Sequence, residues 1–319
     1  MPVPWTAPDP RGRVDLHVHT TASDGSEPPR RLFEMARVAG LRAIGFCDHD
    51  SIGSVREGLA LSAEFGIDFV PGCEVGIAHD PERGLVEIDL LAYFYDPGHD
   101  ELNAVLERLR RAKNAKLDGQ LEVLAREGFR VPKDEVLVEA QGETIRRPHI
   151  FKVLRKYRPD FAPDVFYPNT DFGGPWYVPK EYSLTLEDCV AVVRRAGGIT
   201  VLSSPGSYNE RFKKDGTLID PGVDRLIEVC AEAGVGGLET VYTYDRNKPY
   251  FRSAGETIGR DGLHALIDHY EALAARLGLV ATGGSDFHGA SKPQIALGEP
   301  GVPYARLEGL KRAVERRAS

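Results

Sequence analysis

The sequence predicts an α/β protein in which seven strands and their helices form a closed or nearly closed parallel barrel. Short apolar runs alternate with segments of helical periodicity, and this alternation is typical of successive βα units. The alternation is interrupted between about residues 100 and 180, which predicts an insertion. The strands are expected at 14–19, 42–47, 68–71, 86–94, 199–203, 236–241 and 279–283.

Six helices are expected to connect the strands and to close the chain. Three of them end at the glycines of AGL (39–41), EFG (64–66) and RLG (276–278). Glycine commonly ends helices because it adopts the left-handed conformation without steric cost. The helices are expected at about 29–39, 52–65, 185–196, 222–233, 262–277 and 305–316.

The interrupting region begins with a long helical stretch. Leu102, Leu106 and Leu109 recur there at helical spacing, and a loop-rich segment follows at 167–179. We therefore predict a barrel built from residues 1–99 and 181–319. Residues 100–180 are predicted to form an inserted, mostly helical subdomain over the barrel mouth.

Composition narrows the class of protein. The 319 residues are 42% hydrophobic and 28% charged, with a net charge of −8, which disfavours a surface for long nucleic acid or for membranes. No run of about 18 apolar residues and no leader-like N-terminus is present, and the four cysteines form no CxxC pair. These observations favour a cytoplasmic protein with reduced thiols.

Two histidines occupy one face of the first predicted strand. In VDLHVHTTASDG (14–25), His17 and His19 are two residues apart, and the alternation of side chains along a strand places both on the same side. Asp24 follows in the next loop. This is an arrangement in which two imidazoles can reach one metal ion.

Polar residues also follow three later strands: His49, Glu74, and the pair Asp286 and His288. The carboxyl ends of parallel barrel strands meet on one face, so these residues should converge with those of the first strand. Imidazoles and carboxylates without thiolates suit zinc, manganese or iron, and seven candidates exceed the needs of one ion. Two divalent ions that share such a site bind phosphate oxygens and activate water, which predicts hydrolytic chemistry.

Four motifs, HVHTTASDG, FCDHDS, PGCEV and GGSDFHG, resemble the PHP (polymerase and histidinol phosphatase) family from about residue 13 to 289. RRPHIFKVL at 146–154 is similar to the free-standing phosphoesterase branch of that family. The resemblance implies a distorted (β/α)7 barrel and a metal-dependent phosphoesterase. It also implies that His17, His19, Glu74 and Asp286 would hold one ion, and Asp24, His49 and His288 another.

Two positions depart from the family pattern. Asp89 and Ser204 stand where the family usually has histidines that serve one additional metal position. Asp89 is a weak ligand candidate, and a neutral serine hydroxyl is a poor one. We therefore expect two ions, with the third position empty or weakly bound.

Substrate contacts are expected from the insertion and from the sixth strand. Arg146 and Arg147 can grip a phosphate, and His149 can donate a proton to the leaving group. Asp286 and His288 are expected to take part in the chemistry beside His149. The remaining substrate candidates are Ser204, Tyr242, Tyr244 and Arg246, with Lys180 as a further cation, although ordinary loop packing explains the tyrosines equally well.

The leading functional hypothesis is a hydrolase that cleaves small phosphate esters, with nucleotides or very short oligonucleotides as substrates. Three alternatives stay open: a PHP module that binds a ligand without turnover, a histidinol phosphatase, and an enzyme that hydrolyses a C–N bond. Asp89 and Ser204 favour the first alternative. The sequence does not indicate an oligomeric state.

Overall fold

The computed structural model of the protein describes residues 9–140, 144–207, 222–246 and 259–318. Its strands are β1 Arg13–Val18, β2 Leu41–Phe46, β3 Asp68–Gly76, β4 Asp89–Tyr93, β5 Ile199–Leu202, β6 Gly237–Val241, β7 Val280–Gly283 and β8 Val302–Pro303. The helices of the barrel are α1 Pro29–Val38, α2 Val55–Phe65, α7 Leu186–Arg195, α8 Gly222–Glu232, α9 Arg260–Leu277 and α10 Tyr304–Ala318. Between β4 and β5 lie α3 Asp100–Arg126, α4 Lys133–Ala140, α5 Arg147–Tyr157 and α6 Pro163–Thr170.

The strands form one sheet in the order β7-β6-β5-β4-β3-β2-β1-β8, which curls into a nearly closed barrel. The edges meet where β1 ends and β7 has just ended. There the N–H of His19 donates to the carbonyl of Phe287, and the N–H of Asp286 donates to the carbonyl of His17, both at 2.9 Å. This confirms the predicted α/β barrel.

The expectation that all seven strands run parallel is wrong for β4. It pairs antiparallel with both β3 and β5. The connection from β3, residues 77–88, contains only a short 3₁₀ turn and no α-helix, whereas the crossover between parallel strands is usually an α-helix. An eighth strand, β8, was not predicted; it is two residues long and runs antiparallel to β1.

The glycines expected to end helices do so. Gly66 and Gly278 are the C-caps of α2 and α9 with φ of 64° and 70°, and Gly40 follows α1 with φ of 69°. These are left-handed conformations that glycine tolerates and other residues avoid. Within the described ranges, no helix is long and apolar enough to cross a membrane.

The long helix α3 contributes to two hydrophobic clusters. Its first half inserts Leu102, Leu106 and Leu109 into the main core of the barrel. Its second half, with Leu117 and Leu124, joins a separate cluster with α4, α5, α6 and Trp176. The boundaries predicted for the barrel and the inserted subdomain remain a prediction.

Gly45 provides a test of how closely β2 packs on β1. A Cβ atom there would lie 2.7 Å from the backbone oxygen of Leu16, and backbone cannot yield as a flexible side chain can. We expect Gly45→Ala to lower the free energy of unfolding by roughly 1–3 kcal/mol, the usual cost of overpacking. Denaturant unfolding measures this.

Gly309→Ala is the matched control. Gly309 lies inside α10, where a new methyl group would make an ordinary 3.5 Å contact with Val280. Because alanine favours helix over glycine by about 1 kcal/mol, this variant should be as stable as the wild type or more stable. Equal losses in the two variants would contradict the packing described for β1 and β2.

Candidate metal centre

All seven predicted metal ligands lie together at one end of the barrel. Each is buried, although every one is ionisable. They come from the ends of β1, β2, β3 and β7 and the loops that follow, as convergence at a barrel face requires. The set consists of His17, His19, Asp24, His49, Glu74, Asp286 and His288.

The cluster divides into two groups that share His19. In the first group, ligand atoms of His19, Asp24, His49 and His288 all lie within 4.8 Å of one another. Asp24 Oδ1 is its centre, 3.3 Å from Nε2 of His288 and 3.7 Å from Nε2 of His49. One carboxylate with three imidazoles is a donor set that divalent transition metals accept.

The second group contains His17, His19 and Asp286. Nε2 of His17 and Nε2 of His19 are 3.1 Å apart, and both face Oδ1 of Asp286, at 3.7 and 3.2 Å. Glu74 lies between the two groups. Its Oε2 is 3.4 Å from Nε2 of His19 and 3.0 Å from Nδ1 of His49, which is a position from which a carboxylate can bridge two ions.

Unsatisfied buried atoms support a metal at this site. Nδ1 of His19, Oδ1 of Asp24 and Nδ1 of His49 are buried and make no hydrogen bond. Buried polar atoms without partners are rare and costly. Oε2 of Glu74 lies 3.0 Å from Nδ1 of His49, but the two atoms do not form a hydrogen bond.

The protonation states of the first group suit metal binding. Burial and the nearby His288 lower the pKa of His19, and burial and Arg146 lower the pKa of His49 well below its usual range. Burial tends to raise the pKa of Asp24, but His49 and His288 outweigh it and hold that pKa well below normal. His19 and His49 are therefore neutral and Asp24 is ionised, the forms in which these side chains bind metals.

Asp48 fixes the loops that carry Asp24 and His49. It accepts hydrogen bonds from the backbone N–H and hydroxyl of Thr20, both at 2.8 Å, and from the hydroxyls of Ser23 and Ser54 at 2.7 and 2.5 Å. These bonds join the loop after β1 to the loop after β2. Asp24 and His49, which lie on these two loops, are thereby held in fixed positions relative to each other.

Asp15 and Glu239 position the second group. Asp15 accepts from the backbone N–H and hydroxyl of Ser285, at 2.9 and 2.6 Å, and so holds the loop with Asp286 against β1. Glu239 of β6 is fully buried, and its Oε1 lies 2.9 Å from Nδ1 of His17. A carboxylate on the far ring nitrogen is a common way to orient a metal-binding imidazole.

Asp286 adopts a left-handed backbone conformation with φ of 58°, which is uncommon outside glycine. Its Oδ2 accepts hydrogen bonds from the hydroxyl of Tyr242 and the ammonium of Lys292, both at 2.6 Å, so Oδ1 is turned toward the histidines. Burial raises its pKa, but Lys292 and His288 outweigh burial and keep that pKa well below the usual range. Local strain of this kind is typical of functional sites.

A cavity of about 1710 Å³ opens over the cluster. Its walls come from the barrel end and from the helices between β4 and β5, and it is lined by Arg146, Arg147, His149, Asp89, Ser204 and Tyr242. Arg146 reaches furthest toward the cluster: its Nη2 is 3.1 Å from Nε2 of His49 and its Nε is 3.8 Å from Oδ2 of Asp24. Arg147 instead forms ion pairs with Asp171 and Glu87.

Tyr244 and Arg246 lie elsewhere than expected, because neither lines the cavity. Tyr244 is buried against Tyr270 in the barrel core, and its hydroxyl donates to the carbonyl of Glu239. Arg246 forms ion pairs with Glu299 and Asp245. Of the three residues predicted after β6, Tyr242 lines the cavity, whereas Tyr244 and Arg246 do not.

Sequence reasoning missed Glu239, Lys113 and Lys292. Glu239 carried a signal, because a carboxylate in the middle of the apolar segment GGLETV is unexpected in a buried strand. Lys113 pairs with Asp50 at the cavity wall. The sequence gives no signal for this role, because Lys113 is one of many charged residues on α3. Lys292 follows GGSDFHG closely enough to have been considered.

Comparison with known proteins identifies a PHP domain in the chain. The domain matches residues 15–157, which include five of the seven clustered residues. Three of the four motifs lie within the matched residues.

Three characterised relatives of this PHP protein align over most of its length. It is 28% identical to a phosphoribosyl 1,2-cyclic phosphate 1,2-diphosphodiesterase of Eggerthella lenta, over 86% of this chain and 94% of that protein. It is 29% identical to a 3',5'-nucleoside bisphosphate phosphatase of Chromobacterium violaceum, over 93% and 92%. It is 26% identical to a 5'-3' exoribonuclease of Escherichia coli, over 93% and 92%.

A solved structure has the same fold. A protein of Bifidobacterium adolescentis, provisionally assigned as a metal-dependent phosphoesterase, superimposes with a TM-score of 0.75 at 26% identity. The match covers 96% of this chain and 98% of the other. The barrel and the helices between β4 and β5 are thus shared over essentially the whole length.

Divalent ions should stabilise the folded PHP protein. A ligand at 100 times its dissociation constant adds about 2.7 kcal/mol to the free energy of unfolding. We expect manganese or zinc to raise the unfolding temperature of the wild type, and a chelator to reverse the increase. Asp286→Asn keeps a residue that tolerates φ of 58° but weakens one ligand group, so its increase should be smaller. An ion-independent melting curve for the wild type would contradict the metal centre.

Glu239→Gln tests the positioning of His17. The amide keeps the size of the side chain and an acceptor for the N–H of Ser204, but it removes the charge that faces His17. Loss of such an outer contact typically weakens metal binding 10–100-fold, which competition with a chelator measures. Glu228→Gln, on the exposed ion pair with Arg276, is the control and should bind metal as the wild type does.

Proposed function

We propose that this PHP protein hydrolyses small phosphate esters, namely nucleotides or very short oligonucleotides, at a centre of two divalent ions. It is a metal-dependent phosphoesterase, as its relatives are. The observation that carries the proposal is the buried cluster of imidazoles and carboxylates with three unsatisfied ligand atoms, at the floor of a cavity rich in arginine and lysine.

We assign one ion to His17, His19 and Asp286 and the other to Asp24, His49 and His288, with Glu74 between them. Manganese, zinc or iron ions suit these ligands. Such ions would neutralise phosphoryl oxygens and lower the pKa of a bound water. The protein fixes the distance between the two groups, because Asp48 and Asp15 tie the ligand-bearing loops to each other.

Arg146 and His149 supply the remaining polar contacts to the phosphate. Nδ1 of His149 accepts from the backbone N–H of Arg146 at 3.1 Å, and burial lowers the pKa of His149. The neutral ring therefore carries its proton on Nε2, which can donate a hydrogen bond to the leaving oxygen as negative charge develops there. The guanidinium of Arg146, beside His49 and Asp24, would pair with a non-bridging phosphoryl oxygen.

The cavity fits a substrate larger than a simple phosphate ester. Its volume of about 1710 Å³ exceeds the ~300–1,000 Å³ typical of small-molecule sites. Cations that line it include Lys113, Lys116, Arg147, Lys180 and Lys292, although the whole chain has a net charge of −8. This favours nucleotides and few-nucleotide chains over long nucleic acid.

We further place the activity in the cytoplasm, where such substrates are abundant and the four buried cysteines would stay as free thiols.

Phosphate release tests the proposal. The panel should include nucleoside monophosphates and bisphosphates, dinucleotides and sugar phosphates, each with manganese and with chelator. We expect turnover that requires metal and is lost in Asp286→Ala, because that substitution removes a ligand of the second group. Absence of release from every compound, by folded protein with bound metal, would favour a binding module instead.

His149 has a structural contact that must be separated from its proposed chemistry. It completes the N-terminal cap of α5, and glutamine is a natural substitute in that cap. We expect His149→Gln to fold normally but to lower kcat about a hundredfold or more, as loss of a hydrogen-bond donor to a developing negative charge does, with a smaller change in KM. His269→Gln is the control, because His269 of α9 contacts Asp224 of the neighbouring helix α8 and does not line the cavity. Unchanged kcat in His149→Gln would exclude this role.

A further inference from the structure

On one side of Glu74, the described residues do not supply the ligands that a further metal ion would need. Among the described residues, the two groups that can hold an ion contain neither Asp89 nor Ser204, although both line the same cavity. The family resemblance implies a third metal position served by histidines at these two places. A serine hydroxyl is a poor ligand for ions that prefer imidazole and carboxylate, so the residues present do not fit a third ion.

A lysine from α3 reaches this side of the cavity. Nζ of Lys113 forms an ion pair with Asp50, and the Lys113 side chain is only 11% exposed. Asp50 is itself held to β3, because its Oδ1 accepts from the N–H of Gly76 and its own N–H donates to the carbonyl of Glu74. The ammonium is therefore fixed to the strand that carries the bridging carboxylate.

A second lysine lies next to Asp89. A Cβ atom built on Gly76 would be 3.1 Å from Oδ1 of Asp89 and 3.8 Å from Nζ of Lys180. Both groups thus flank one backbone position, two residues after Glu74. Within the described ranges, Lys180 forms no ion pair of its own, so its charge is available to a ligand in the cavity.

The charges on this side act on one another. Burial lowers the pKa of Lys113 to about 8, and the nearby Arg146 contributes in the same direction. Burial and Glu74 raise the pKa of Asp89 to about 7, against the opposing effect of Arg146 and Lys113. Positive groups crowded together in a cavity wall are stabilised when an anion binds between them.

We propose that Lys113 and Lys180 occupy the place of a third metal ion and hold an oxygen of the phosphoryl group bound at the two-ion centre. This inference rests on the proposed function, which it deepens. A lysine ammonium is a compact charge with three donors and can replace a cation that only neutralises a phosphoryl oxygen. The protein would thus work with two ions and two fixed ammonium groups.

Metal content is the first test. Wild-type protein reconstituted with manganese and freed of excess metal should contain two ions per chain by elemental analysis. Lys180→Met should also contain two. Three ions in the wild type would overturn the proposal, because the third position would then be a metal site.

Binding of inorganic phosphate to the manganese-loaded protein is the second test. Calorimetry should show a dissociation constant raised about tenfold or more in Lys180→Met, since a hydrogen bond between charged groups is lost, and largely restored in Lys180→Arg. Lys311→Met is the control, because Lys311 of α10 pairs with Asp68 at the start of β3 and neither residue lines the cavity. Phosphate binding as tight in Lys180→Met as in the wild type would overturn the proposal for Lys180.

Lys113 needs a paired variant. Lys113→Met alone would leave Asp50 buried without its partner, and such a loss can unfold a protein. The double variant Asp50→Asn/Lys113→Met removes both charges, and thermal unfolding verifies that it folds. We expect the same loss of phosphate binding; wild-type affinity would show that Lys113 serves only Asp50 and would overturn its part in the subsite.

Phosphate binding does not require turnover, so the two proposals can fail separately. If no ester is hydrolysed but Lys180→Met still weakens phosphate binding, the subsite stands and the proposed function fails. If esters are hydrolysed and phosphate binding is insensitive to both lysine variants, the function stands and the subsite fails.

Discussion

The structure depends on the concentration of charge around Glu74. Three carboxylates and four imidazoles are buried within a few ångströms, and Oε2 of Glu74 lies within 3.6 Å of a ring nitrogen of each of three of them. Burying ionised groups is costly unless they are paired or bind an ion. The surroundings are therefore organised to hold these side chains apart and in place, and the strained backbone of Asp286 and the hydrogen bonds to Asp48 and Asp15 follow from that requirement.

One set of residues holds the ligand-bearing loops in place, and another set supplies the atoms that can bind a metal ion. Asp48, Asp15 and Glu239 accept hydrogen bonds from the protein and do not line the cavity. Ligand atoms of the cluster, such as Nδ1 of His19 and Oδ1 of Asp24, are left without hydrogen bonds. This division gives a centre whose geometry is set before any ligand enters, which is what preorganised electrostatic stabilisation requires.

Much of the fold and site could be predicted because both followed from local patterns. Alternation in β1 placed His17 and His19 on one face, and the rule that strand ends meet brought in His49 and Asp286. The direction of β4 could not be predicted in this way, since an apolar run such as IDLLAY has the same pattern in either direction. Side chains from distant elements, such as Lys113, were also beyond reach, because their position depends on how α3 packs and not on its sequence alone. Tyr244 shows the converse: it follows a strand end, yet the core had space for its ring.

The reversed strand β4 explains the length of α3. Because β4 runs against β3, it begins beside Gly76 at the cavity and ends at the opposite side of the barrel. The chain must then return to the cavity end of the barrel. The 27 residues of α3 span about 40 Å, which is long enough to run along the outside of the barrel and extend beyond its end. Leu102 packs on the barrel near the start of α3. Lys113 lies about 16 Å further along the axis of this helix, at the cavity wall. A single inverted strand thus delivers a wall of the cavity that a regular βα repeat would have kept on the far side of the molecule.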